Sequence, residues 1–263
     1  MNRKNNVFRA IFAFLTAFFV FCTAIFWVLF LAGSVKGVSF IAQKSEFCEK
    51  TALEAEQNLN FIAQAGGFED GFFNGIVTAE KVSENLFPFI NSVFLGESFN
   101  RNEKPIRDEI SHRVFAEAEE KMSGYSLETR DILNQTVDLC SIEAVSGFTP
   151  SIIRYLCAFF GRFRKFFLVS ALIFSALFLS SLLVLKRSRK FLKTALISAS
   201  FMLGVAPLVA LIFLKGERLG IASVAMRDFL NFFAFFVLAA LVFLAAVVLI
   251  FSFFIRKKDP VSN

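Results

Sequence analysis

Apolar residues occur along this chain in two textures. Four unbroken runs, 10–33, 166–185, 194–214 and 229–255, are each long enough to cross a hydrocarbon core of about 30 Å. Between the first and second runs, the stretch 34–165 is polar, and its apolar residues recur at helical spacing. The pattern predicts an all-α chain: a four-helix transmembrane bundle with an all-helical extracytoplasmic domain inserted between the first and second spans. The remaining segments, 1–9, 186–193, 215–228 and 256–263, are short connections or ends.

Inside the insertion, breaks containing glycine separate the expected helices. A first helix over about 43–65 places Cys48, Ala52, Ala55, Leu59 and Ile62 on one stripe and stops at Gly66-Gly67. Thr78 caps a second over 79–95, bent or restarted at Pro88 and stopped at Gly96. Asn102 to Pro105 opens a third, with Ile106, Ile110, Val114, Phe115, Ala118 and Met122 in register and Gly124 as its stop. Ser126 caps a fourth, whose apolar positions include Ile132, Leu133, Val137 and Cys140 before Gly147. Thr149-Pro150 reads as the cap and first residue of a helix that runs through 150–165 into the second span and on to Lys190. Such a helix would be about 60 Å long and would join the outer domain rigidly to the bilayer.

Charge decides the orientation. The segments 1–9, 186–193 and 256–263 hold 11 Lys or Arg against Asp259 alone, and short basic segments face the cytoplasm. Both termini are therefore expected inside a plasma membrane, with 34–165 and 215–228 outside. A net charge of +6 could point to nucleic acid, but the positive charge lies in the inner segments rather than on one soluble face. No nucleic-acid partner is expected. Phe supplies 39 residues against 2 Tyr and 1 Trp, so interfacial anchoring has to rest on Phe and basic side chains. A cleaved leader is the competing reading of the N-terminal run. That run exceeds the ~7–15 apolar residues of a leader core, which favours a retained helix.

Within the runs, small residues mark expected helix contacts: Ala10, Ala13 and Ala17 in the first, and Ala171 and Ser175 in the second. Ala195, Ala199, Ser200 and Gly204 do so in the third, where Pro207 is expected to kink the helix, and Ala239-Ala240 and Ala245-Ala246 in the fourth. The interiors of the runs lack Asp, Glu, Lys, Arg and His, which argues against an ion-coupled transporter.

Candidate chemistry is sparse. Arg154, Arg162, Arg164 and Lys165, among Phe159, Phe160 and Phe163, form a basic aromatic collar that can pair with phosphates of anionic lipid or of an envelope polymer, or simply anchor a helix end. Cys48 and Cys140 are candidates for a disulfide, with Cys157 as a competing partner and free thiols as the other reading, while Cys22 lies inside the first run. Glu109 and His112 have the Glu-x-x-His spacing of half a carboxylate di-metal site, but His112 is the chain's single histidine. It sits among charged residues on an expected solvated face. No metal, cofactor or catalytic residue is assigned.

The stretch Gly75-Ile-Val-Thr-Ala-Glu-Lys-Val-Ser-Glu-Asn, then Phe94-Leu-Gly-Glu-Ser and Ile106-Arg-Asp-Glu-Ile, is similar to a pattern in bacterial, mostly Gram-positive-type, four-span membrane proteins with a helical outer domain. The resemblance covers residues 40–120, and it implies the architecture and no activity. Lipoprotein intramolecular transacylases also have four spans and a first outer loop, but their histidine-centred motifs are not matched. The resulting expectation is a non-enzymatic cell-envelope protein that binds membrane lipid or another envelope or membrane protein. The alternatives are a lipid- or envelope-modifying enzyme at the outer membrane surface and an accessory subunit or small oligomeric channel.

Overall fold

A computed structural model describes residues 3–121, 124, 126–185, 188–213 and 221–255, with side chains from residue 6 onward and without those of 206–213. Among these residues there are helices and no strands. In chain order the helices are α1 (Arg3–Ala32), α2 (Val35–Lys44), α3 (Phe47–Ala65), α4 (Ala79–Leu95), α5 (Lys104–Lys121), α6 (Leu127–Ser146), α7 (Ser151–Leu185), α8 (Arg189–Phe213) and α9 (Val224–Phe254). They divide into an apolar unit, Met1–Gly37 with Arg162–Gly220 and Leu230–Asn263, and a polar unit, Val38–Gly161 with Ile221–Phe229. The first turns of α9 thus belong to the polar unit.

Among the described residues, three helical segments are long and apolar enough to cross a membrane: Asn6–Ala32 of α1, then α7 and α9. The expected third run lies in α8, and its last residue, 214, falls outside the described residues. So do Met122, the expected effect of the Pro207 ring, and the basic residues Lys186, Arg187, Arg256, Lys257 and Lys258. Inside the apolar unit, α1 packs along α8. Ala17, Val20, Ala24 and Val28 of α1 meet Ala199 and Leu203 of α8 and Leu241 and Ala245 of α9. Ala10, Ala239 and Ala246, expected at contacts, are not buried. The buried stripe on α1 starts at Ala13 and advances by three and four residues; Ala10 shares its phase but lies one turn before the first buried position. Hydroxyls in these helices bond back to their own backbone: Thr16 to Phe12 O at 2.7 Å, Ser175 to Ala171 O at 2.7 Å and Ser200 to Leu196 O at 3.0 Å. A polar group satisfied within its helix can lie in lipid at little cost.

Four amphipathic helices build most of the polar unit. α3 packs on α4 and α6, and α5 packs on α6. Thr78 and Ser126 cap α4 and α6 by accepting hydrogen bonds from the N–H groups of Lys81 and Thr129, and Gly96 ends α4 in the left-handed conformation, as their sequence signals predict. The helix expected over 43–65 is divided, because Glu46 takes a left-handed conformation at φ 55° and starts α3 afresh. Ile132 is exposed, although its spacing suggested core; on α6 the buried face begins at Val137. α7 ends at Leu185, short of Lys190, and is about 52 Å long at 1.5 Å per residue.

Candidate functional site

A cleft of about 450 Å³ opens in the polar unit, between α3, the loop before α5, the α6–α7 turn and the start of α9. That is within the ~300–1,000 Å³ of small-ligand sites. Three sequence features shape it. Asn85, buried on α4, accepts a hydrogen bond from Asn102 N–H at 2.8 Å and donates to Lys81 O at 3.0 Å, which fixes the chain beside Arg101. Gly147, between α6 and α7, faces Thr51: a Cβ built there would lie 3.3 Å from Thr51 Cγ2. Glu54 caps α9, accepting from Ala225 N–H at 2.9 Å and from the Ser223 hydroxyl at 2.8 Å, while Ser223 Oγ accepts from Met226 N–H at 3.1 Å.

Arg101 and Arg154 bring positive charge to the cleft wall. The Arg154 guanidinium lies 5.4 Å from the centroid of the buried Phe89 ring, a cation–π contact, and also borders a second hollow of about 350 Å³ with Phe99 and Glu97. Arg101 approaches Glu103 at 3.9 Å, the outer limit of an ion pair. α7 begins in the cleft. Its first backbone bond runs from Arg154 N–H to Pro150 O, and among the described residues no side chain caps the N–H groups of Ser151 and Ile152. The Thr149 hydroxyl, expected as the cap, makes no such bond. Thr51 is buried on the same wall, and its Oγ1 has no hydrogen-bond partner among the described residues.

The collar residues separate. Arg154 belongs to the polar unit and enters the cleft, whereas Arg162, Arg164 and Lys165 are exposed residues of the apolar unit. Arg164 stands 5.7 Å over the Phe30 ring. All four cysteines are free thiols, so Cys48 and Cys140 are not joined. Burial, with the Glu49 charge second, pushes the Cys48 thiol up to about 11, and burial raises that of Cys140. Both stay protonated at neutral pH, which suppresses the thiolate that disulfide exchange needs. His112 is exposed on α5, outside the cleft, and Glu109 is engaged by Lys81 at 2.6 Å and Arg113 at 3.4 Å. No cluster of metal-ligating side chains occurs among the described residues.

The cleft therefore joins two cations, hydroxyls and an open helix N-terminus, with its carboxylate Glu54 committed to a cap. This set can hold an anion, and its lining lacks a histidine to activate a hydroxyl. Sequence reasoning found Arg154 through the basic run on α7. It missed Thr51 and Glu54 on α3 and Arg101 in the loop before α5, which no local motif joins to α7, and Ser223, whose place before an apolar run is a capping signal. No family model matches the chain, and no curated protein or solved structure matches it.

Proposed function

We propose that this chain is a non-enzymatic envelope protein of the plasma membrane, in which four spans anchor a helical extracytoplasmic unit that binds a ligand or partner through its cleft. The reading takes α8 as the fourth span beside α1, α7 and α9. One observation carries it: the polar unit has its own core and a cleft of ligand size, while the helices elsewhere expose bare apolar surface. Leu183 is 73% exposed, Phe201 71%, Phe243 68% and Phe251 64%. Left in water, such side chains forgo ~1.5–3 kcal/mol each, and a handful of them equals the whole stability of a typical domain. Lipid removes that cost. The basic segments supply the orientation, with both termini cytoplasmic.

An enzymatic role at the outer membrane surface is the alternative that a cleft lined by Arg154 favours, and the exposed position of His112 counts against it. A photoreactive amino acid at Met226, on the cleft wall, tests the binding reading in intact cells, with Leu127 on the exposed surface as the control site. The expected result is an adduct from position 226 and none from 127. Equal capture at both, or turnover of a lipid or wall substrate by the purified protein, overturns it.

A further inference from the structure

We infer that the cleft of the polar unit takes a phosphate ester, held by Arg154, Arg101, Thr51 and the N-terminus of α7. The inference deepens the binding reading above and rests on it for the role of the cleft. Tetrahedral phosphate presents oxygens in several directions, and donors reach this cleft from as many: Thr51 from α3, Arg101 from the loop before α5, and N–H groups with Arg154 from α7. A flat carboxylate uses fewer of them.

Three independent features converge on an anion. A cation in the first turn of a helix opposes the helix dipole, and Arg154 occupies that position on α7 without a carboxylate partner among the described residues. The Ser151 and Ile152 N–H groups are uncapped, which makes this helix start an anion receptor. Thr51 Oγ1, on a residue 4% exposed, is a buried donor without a partner. Glu54 also lies on the wall, but its two oxygens accept from Ala225 and Ser223 at the start of α9. A volume of about 450 Å³ exceeds that of inorganic phosphate and leaves room for an organic group against Phe47, Ile152 and Met226. A lipid headgroup and a soluble phosphate ester share this chemistry.

The full-length chain in uncharged detergent tests it by calorimetric titration with glycerol 1-phosphate and with short-chain dihexanoyl phosphatidylglycerol. Saturable binding of either is expected. Arg154→Gln should weaken it at least about tenfold, as loss of a charge-assisted hydrogen bond does. Thr51→Val keeps shape and removes the unpartnered hydroxyl, so it should weaken binding about threefold or more with no loss of melting temperature. It also carries the test if Arg154→Gln fails to fold. Tighter binding of the lipid assigns a headgroup, and equal binding a soluble ester. No binding of either probe, or binding that both variants leave intact, overturns the inference. If the cleft crosslink forms without phosphate binding, the binding reading stands and this one falls; failure of both overturns both.

Discussion

The apolar and polar units both bury small and large apolar side chains, but they differ in where their remaining large apolar groups and their charges go. In the apolar unit, Ala13, Ala17, Ala24, Ala195 and Ala199 face inward while Phe14, Phe201 and Phe243 face outward. In the polar unit, Phe89, Leu59, Ile90 and Ile110 fill the core and charged residues cover much of the surface. Water rewards burying the largest apolar groups. Lipid offers no such reward, so packing there leans on small residues that let backbones approach, and large apolar groups can face the acyl chains at no cost. The same residue type therefore means different things in the two units: an exposed Phe is expected surface in one and an exception, as at Phe61, in the other.

Opposite substitutions should break this comparison. The largest effect is expected for Phe243→Asp, which puts a charge on the outward face of α9. In a bilayer it should cost about 3 kcal/mol and lower the membrane-inserted fraction in a glycosylation-reporter assay, whereas on a water-facing surface it would be neutral. A comparable loss, about 3 kcal/mol in chemical denaturation, is expected for Leu59→Ala in the polar core, where a large side chain would leave a cavity. Asn85→Ala should lower stability by about 2 kcal/mol, because the backbone of Asn102 would lose its buried partner. It should also loosen Arg101 and weaken anion binding.

Alkaline pH also probes the polar unit. Cys48 is held protonated from its ordinary 9.0 up to about 11, and the hydrogen bond from Lys50 to Asp228, with their mutual charge, raises Lys50 above its ordinary 10.5. Both groups bind protons more tightly when folded, so their contributions are complete below pH 9 and decline above it as the unfolded chain releases protons first. Melting of the polar unit should be flat from pH 7 to 9 and fall toward 11, and Cys48→Ala should flatten part of that fall. The smallest effect is expected for Asp138→Asn. Its 2.7 Å pair with Arg107 is more than half exposed on both sides, so the change should be about 0.5 kcal/mol or less.

Sequence carried the helices further than the cleft. Long runs and capping residues such as Thr78 and Ser126 locate α4 and α6 to the residue, because their signals are local. The split at Glu46 and the outward turn of Ile132 depend on tertiary packing, which periodicity does not record. For the cleft, the run on α7 disclosed Arg154, but its partners come from α3 and the loop before α5. No spacing rule links those segments.

Cysteine accessibility tests the central claim most directly: that apolar helices lie in the membrane and the polar unit lies outside, opposite the basic segments. Asn134→Cys is exposed on α6 and Lys190→Cys is exposed in the basic stretch at the start of α8. With the native cysteines replaced, a membrane-impermeant maleimide applied to intact cells should label position 134 and should reach position 190 only after lysis. Labelling of 190 but not of 134 before lysis, or equal labelling of both, would contradict the account.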